Sequence, residues 1–198
     1  MNILITGGAG FIGSHLVDAC IAQGYTVAIV DNLSTGQEEN IREPLSRGVI
    51  FHKADIRNKE ALLSVFESFK PDIVCHLAAQ INVRTSMKDP LEDAQTNIIG
   101  GLNVLECMRH IGCKRILFSS TGGALFDDDA IPYDEKMTPS PSSPYGIAKL
   151  TLERYLEFYS HQYGFETTIL RYANVYGPRQ NPLGEAGVVS IFCDLIKK

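Results

Sequence analysis

Two periods of apolar residues alternate along this chain. Short aliphatic runs are followed by longer stretches in which apolar positions recur every three or four residues. Ile3-Leu4-Ile5 is the first run, and the glycines after it lead into Phe11 to Gln23, where Leu16, Val17, Cys20 and Ile21 fall at helical spacing. Gly24 stops that helix, and Thr26 to Val30 reads as a second strand ending at Asp31. Val49 to Lys53 reads as a third strand, Lys59 to Phe69 as a helix broken by Pro71, and Asp72 to His76 as a fourth strand. The spacing predicts one long helix within Leu91 to His110, with Ile98, Leu102, Leu105 and Met108 on its faces. Arg115 to Ser119 is a fifth strand, Gly122 to Ser143 a loop rich in Asp, Pro and Ser, Pro144 to Tyr163 a helix, and Thr167 to Arg171 a sixth strand. Val188 to Lys198 reads as an amphipathic helix.

Strands that alternate with helices across short connections specify a parallel sheet covered on both faces. The expected class is α/β, a doubly wound parallel sheet of the Rossmann type, with a ligand crevice at the carboxyl ends of the strands. No internal repeat, low-complexity tract or long linker interrupts it. The run Asp127-Asp128-Asp129 reads as a solvated loop tip.

Composition narrows the class of partner. The chain has 198 residues, 44% of them hydrophobic and 21% charged, with a formal net charge of −5. That apolar content excludes disorder, and the mild acidity argues against nucleic acid as a partner while leaving room for a small anionic ligand. The N-terminus carries no basic leader, and no run is long enough to cross a bilayer, so a cytoplasmic protein without membrane contact is expected. Cys20, Cys75, Cys107, Cys113 and Cys193 are odd in number and scattered, which suits buried thiols of a reducing compartment. Cys107, His110 and Cys113 raise the question of zinc, but no fourth ligand lies near them in sequence, so no metal is expected.

The glycines supply the first sign of chemistry. Thr6-Gly7-Gly8-Ala9-Gly10-Phe11-Ile12-Gly13 joins the first strand to the first helix. Gly8, Gly10 and Gly13 satisfy GxGxxG, and Gly7, Gly10 and Gly13 satisfy a wider GxxGxxG. Such glycines allow a tight turn and a close approach of backbone to a pyrophosphate, which the helix N-terminus then binds. Asp31, at the end of the second strand, suits the ribose 2′-hydroxyl of NAD and would repel the 2′-phosphate of NADP. Asp55-Ile56 and Leu77-Ala78-Ala79-Gln80 follow the third and fourth strands. Small residues there suit a cofactor and suit close helix–strand packing equally.

A second constellation lies further on, in Ser143-Pro144-Tyr145-Gly146-Ile147-Ala148-Lys149. Ser143 suits an N-cap and Pro144 the first helical position, which sets Tyr145 and Lys149 at i and i+4 on one face. A free phenol, with a pKa of about 10, is too weak a base at neutral pH, but a neighbouring ammonium favours the phenolate. Tyr145 then suits removal of a proton from a sugar hydroxyl as hydride leaves for the cofactor. Ser119-Ser120-Thr121 ends the fifth strand and offers a hydroxyl to the reacting oxygen.

Taken together, TGGAGFIGSHL (6–16), DNLSTG (31–36), HLAAQ (76–80), SST (119–121), YGIAK (145–149) and RYANVYGPRQ (171–180) resemble the extended short-chain dehydrogenase/reductases that act on nucleotide sugars. The resemblance spans nearly the whole chain. It implies tightly held NAD, a nucleotide-sugar substrate (a UDP-sugar foremost) and a homodimer paired through the Leu91–His110 and Pro144–Tyr163 helices. The implied catalytic residues are Thr121, Tyr145 and Lys149. The implied cofactor residues are Gly7, Gly10, Phe11, Ile12, Gly13, Asp31, Asn32, Leu33, Ser34, Thr35, Gly36, Asp55, Ile56, Leu77, Ala78, Ala79, Gln80, Asn97 and Ser119, again with Tyr145 and Lys149. Asn174, with Thr121 and Tyr145, falls on substrate positions, and Arg84 suits either the site or the surface.

Within that family, the dehydratases place acidic residues directly after the catalytic Ser/Thr. Here Gly122-Gly123 follow Thr121, which disfavours dehydration and leaves 4-epimerisation through a transient 4-keto sugar, ahead of decarboxylation or keto-reduction. Family members usually run a hundred or more residues further. The resemblance therefore implies an NAD-binding and catalytic domain over 1–180, the start of a substrate lobe over 181–198, and little turnover by such a truncated form. A pure NAD-binding module is the alternative.

Overall fold

A computed structural model of the protein describes residues 1–126, 132–181 and 188–197. The acidic run Asp127–Asp129 lies outside the described residues, as do 182–187 and Lys198 of the C-terminal segment. Six strands form one sheet: β1 (Asn2–Thr6), β2 (Thr26–Asp31), β3 (Ile50–Lys53), β4 (Ile73–His76), β5 (Arg115–Thr121) and β6 (Glu166–Tyr172). Their order is β3-β2-β1-β4-β5-β6 and every pairing is parallel. This is the doubly wound arrangement expected from the alternation of strands and helices. Its order reverses between β1 and β4, where a crevice opens at the carboxyl ends of the strands.

Alternation along the central strands explains the two-sided core. Leu4, Ala28 and Val30 point to one face, with α3 (Lys59–Phe69), α6 (Gly100–Ile111) and α7 (Pro144–Tyr163) packed against them. Ile3, Ile5, Val27 and Ile29 point to the other, against Val17 and Cys20 of α1 (Phe11–Ala22). Both faces of these central strands are covered, so Ile3–Ile5 and Val27–Val30 are apolar throughout. Cys20, Cys75, Cys107 and Cys113 are buried and free, and Cys193 is exposed. Among the described residues no helix is long and apolar enough to cross a membrane.

Three differences from the sequence expectation have physical causes. A 3₁₀ turn (Glu38–Ile41) and a short helix, α2 (Arg42–Ser46), fall where no periodicity was visible, because each is about one turn long. A further short helix, α4 (Val83–Lys88), is capped by Asn82, whose side chain accepts from the Thr85 amide. The single helix expected within Leu91–His110 is instead three pieces: α5 (Pro90–Ala94), a π-helical turn (Gln95–Ile99) and α6. The π turn is a single widened turn of five residues, too short to show a period of its own. Close packing follows directly after it. A Cβ on Gly100 would meet the Ile56 side chain at 2.7 Å, and one on Gly101 the Leu152 side chain at 2.5 Å. The last described helix, α8 (Val188–Lys197), matches its expected span to within a residue.

Phe66 of α3 is fully buried in the larger core cluster. Phe66→Ala is expected to destabilise the fold by about 3–5 kcal/mol, read as a lowered midpoint of urea unfolding.

Candidate active site

The crevice at the strand ends is a cleft of about 800 Å³. The turn after β1 forms its floor. Gly7 adopts φ +74°, and a Cβ there would lie 2.7 Å from the Ala78 nitrogen. A Cβ on Gly13 would lie 2.1 Å from the Gly7 carbonyl oxygen, so α1 starts against this turn only because both are glycine. Gly7, Gly10 and Gly13 line the cleft, as do Phe11 and Ile12. Gly8 faces the Ile29 side chain instead, so the wider of the two glycine patterns is the one that builds the cradle.

One wall comes from β2 and β3. Asp31 lines the cleft and is buried; its Oδ2 accepts from the Ala9 amide at 3.0 Å and its Oδ1 from the Leu33 amide at 2.8 Å. Those bonds hold the following turn, in which Leu33 takes φ +61°. Asn32, Ser34 and Thr35 line the cleft there. Asp55 and Ile56 line it from the next strand end, and the Arg57 fork donates to both Asp55 oxygens, at 3.0 and 2.7 Å. Those bonds pull the Asp55 carboxyl down to about 2.

The opposite wall carries Ser119, Thr121, Tyr145 and Lys149. Ser143 caps α7 by accepting from the Gly146 amide at 3.1 Å, with Pro144 following it as the pattern required. Tyr145 is anchored by its own amide, which donates to Ser86 Oγ at 3.2 Å. One turn on, Lys149 is buried, and its Nζ donates to the Ser119 carbonyl at 2.8 Å. That nitrogen lies 4.9 Å from the Phe118 ring centroid and 5.8 Å from that of Tyr145. Burial pulls the Lys149 pKa down to about 8, against the opposing pull of Asp93 and Glu153. Thr121 Oγ1 accepts from the Ala124 amide at 3.2 Å, which fixes the hydroxyl where β5 ends. Behind it, Ser120 donates to Glu153 at 2.5 Å, and Arg171 forks onto the same carboxylate at 3.1 and 2.6 Å.

Between the walls lies a buried histidine. Thr6 Oγ1 accepts from the Leu77 and Ala78 amides, both at 3.2 Å, and lies 2.7 Å from His76 Nδ1. Two amides fill the oxygen's acceptor capacity, so its hydrogen goes to the ring nitrogen, which must be neutral. Burial, reinforced by Lys149, pushes the His76 pKa down to about 3.

Most of the expected residues meet in this one cleft, including Leu77, Ala78, Ala79 and Asn174. Leu33, Gly36, Gln80 and Asn97 do not line it. Leu33 packs on the core and Gly36 lies against the Asp31 carboxylate. Gln80 and Asn97 turn inward, the Gln80 amide donating to Asn97 Oδ1 at 2.9 Å. Arg84 is exposed on α4 and is not part of the lining. Cys107 and Cys113 are core residues, while His110 is exposed and 3.2 Å from Glu67.

Thr96, Gln37, Asn40, Tyr172 and Arg179 also line the cleft and were not anticipated. Arg179 had a visible signal, since it belongs to the 171–180 motif. It binds Asp18 at 2.6 Å and so ties the segment after β6 to α1.

Residues 3–198 match the NAD dependent epimerase/dehydratase family. The chain belongs to that family. It is 41% identical over 198 residues to a UDP-glucose 4-epimerase of Mycolicibacterium smegmatis, covering 99% of this chain and 63% of the relative. The solved Thermotoga maritima UDP-glucose 4-epimerase with UDP-glucose superposes at a TM-score of 0.91 and 52% identity, covering 97% of this chain and 62% of that one. The Thermus thermophilus UDP-glucose 4-epimerase in complex with NAD gives 0.92 and 47%, covering 97% and 61%. This family member thus spans somewhat under two thirds of the length of those relatives.

His76 sets a pH dependence of stability. The unfolded chain protonates it near 6.5, whereas the folded chain resists until about 3. Between those values the unfolded state binds more protons, so stability falls as pH drops, by about 1.4 kcal/mol per pH unit from this group. His76→Gln is expected to remove that component from urea unfolding curves taken from about pH 6.5 to about pH 4. An unchanged slope contradicts it.

Proposed function

We propose that this cleft binds NAD and that its Thr121, Tyr145 and Lys149 epimerise a UDP-sugar at C4. The observation that carries the proposal is the shared cleft, with a glycine cradle at the start of α1 facing the Tyr145–Lys149 pair of α7. The NAD and UDP-glucose complexes of the two thermophile relatives support it.

The residues suit the cofactor. Gly7, Gly10 and Gly13 leave no side chain between a pyrophosphate and the α1 amides, and a Cβ at Gly13 would strike the Gly7–Gly8 backbone that shapes the cradle. Asp31 would take the adenosine ribose and disfavour a 2′-phosphate, while Tyr145 and Lys149 would hold the nicotinamide ribose. Bound NAD supplies the hydride acceptor and donor that make a transient 4-keto sugar without net redox change. Tyr145 takes the proton from the sugar hydroxyl and returns it. The Lys149 ammonium stabilises the negative charge Tyr145 carries as base. Thr121 hydrogen-bonds the reacting oxygen, and Asn174 contacts the nucleotide-sugar phosphates. Residues 1–180 act in this proposal as the NAD-binding and catalytic domain.

The test is conversion of UDP-galactose to UDP-glucose with NAD present, measured on a form extended to the length of the relatives. Tyr145→Phe is expected to lower the rate by about 10²–10⁴-fold while calorimetric NAD affinity is kept. A variant that keeps its rate overturns Tyr145 as the base. NAD binding without any turnover would leave the described residues a binding module.

A homodimer in the cytoplasm belongs to the same proposal. Leu91 and Ile99, and Ile147 and Phe158 of α7, are exposed apolar side chains on the helices expected to pair. Free buried cysteines suit a reducing compartment. Light scattering at micromolar concentration is expected to give twice the chain mass, and a monomer overturns the pairing.

A further inference from the structure

A buried carboxylate behind the cleft has no role in the scheme above. Asp93, on α5, is 1% exposed. Its Oδ1 accepts from Gln80 Nε2 at 2.8 Å and from Asn97 Nδ2 at 3.0 Å. Its Oδ2 is enclosed and has no hydrogen-bond partner among the described residues. Enclosing half of a carboxylate without a partner is costly, and such an atom in a native fold calls for a cause.

The two amides that hold Asp93 cannot be reversed. Asn97 Oδ1 accepts from the Gln80 amide at 2.9 Å, and Gln80 Oε1 accepts from the Asn82 amide at 2.5 Å. Both side chains therefore present N–H groups to position 93 and require an acceptor there. They hold the carboxylate by one oxygen and leave the other bare.

Lys149 is the cation whose charge acts on the Asp93 carboxyl, and α5 packs directly on α7. Among the described residues, the titratable groups that act on Lys149 or feel it are His76 of β4, Tyr145 and Glu153 of α7, and Asp93. His76 is neutral. The charge of Glu153 is already matched by the Arg171 fork. Asp93 is thus the anion near Lys149 with no cation of its own among the described residues.

We infer that Asp93 is a positioning residue for Lys149, its carboxylate held in place by Gln80 and Asn97 so that its charge keeps the buried lysine an ammonium in the cleft wall. The inference rests on the proposed function for what that ammonium does to Tyr145. The pairing itself can be measured without cofactor or turnover. Burial raises the Asp93 pKa and lowers that of Lys149, while each charge opposes the shift of the other, as a mutually dependent pair requires.

The test is a heteronuclear NMR titration of the Lys149 side chain in the full chain, assigned by loss of the signal in Lys149→Met. Asp93→Asn keeps an oxygen for both amides and removes only the charge. It is expected to lower the Lys149 pKa by about one unit or more, and Asp93→Glu to restore most of that shift. A Lys149 titration unmoved in folded Asp93→Asn overturns the inference. If Asp93→Asn does not fold, Lys149→Met reads the same coupling from the other side. The Asp93 carboxyl carbon is then expected to titrate about one unit or more higher than in the unaltered chain, and no change overturns the inference. A failed epimerase assay leaves these titrations intact, and an unmoved titration leaves the epimerase proposal intact.

Discussion

A side chain at position 7 would place its Cβ 2.7 Å from the Ala78 nitrogen, closer than real Cβ atoms come to backbone. That approach is where the two halves of the sheet meet. It brings the turn after β1 against the segment after β4 at the point where strand order reverses. Thr6 seals the same junction from below with the Leu77 and Ala78 amides and His76. A polar hub in place of apolar packing has its own cost, which falls on His76 as a suppressed charge.

Much of this was legible in the chain, and what was not shares a common cause. Element type came through wherever the apolar period ran for several turns or filled a whole strand. Pro144–Tyr163 is bounded as read because Ser143, Pro144 and Gly164 mark its ends chemically. Single-turn elements such as Arg42–Ser46 have too few positions for any period to emerge. The π turn at Gln95–Ile99 escaped for the same reason, since one widened turn has too few positions to show its own period.

The site shows the same division. Motifs locate contiguous segments, so DNLSTG and the Leu77–Gln80 part of HLAAQ were assigned to the cofactor residue by residue. In the fold each segment crosses the cleft edge obliquely. Asn32, Ser34 and Thr35 face the cleft while Leu33 turns to the core, and Ala78 and Ala79 face it while Gln80 turns inward. Which members of a motif face a ligand depends on the path of the backbone, which local residue types do not encode. Gly7 and Gly8 are a sharper case: adjacent and chemically identical, one floors the cleft and the other packs on Ile29.

Helix α5 is only five residues long, yet its neighbouring acids serve opposite ends of the cleft. Glu92 reaches Arg57, which grips Asp55, at 2.6 Å, and Asp93 holds the Gln80–Asn97 pair near Lys149. Asp89 caps the helix, Pro90 starts it, and the two acids are adjacent on it. Its orientation is therefore a single variable shared by two places that do not touch. Substitutions that rotate it will register at both ends together, and their effects will not add to those of changes made at either end alone.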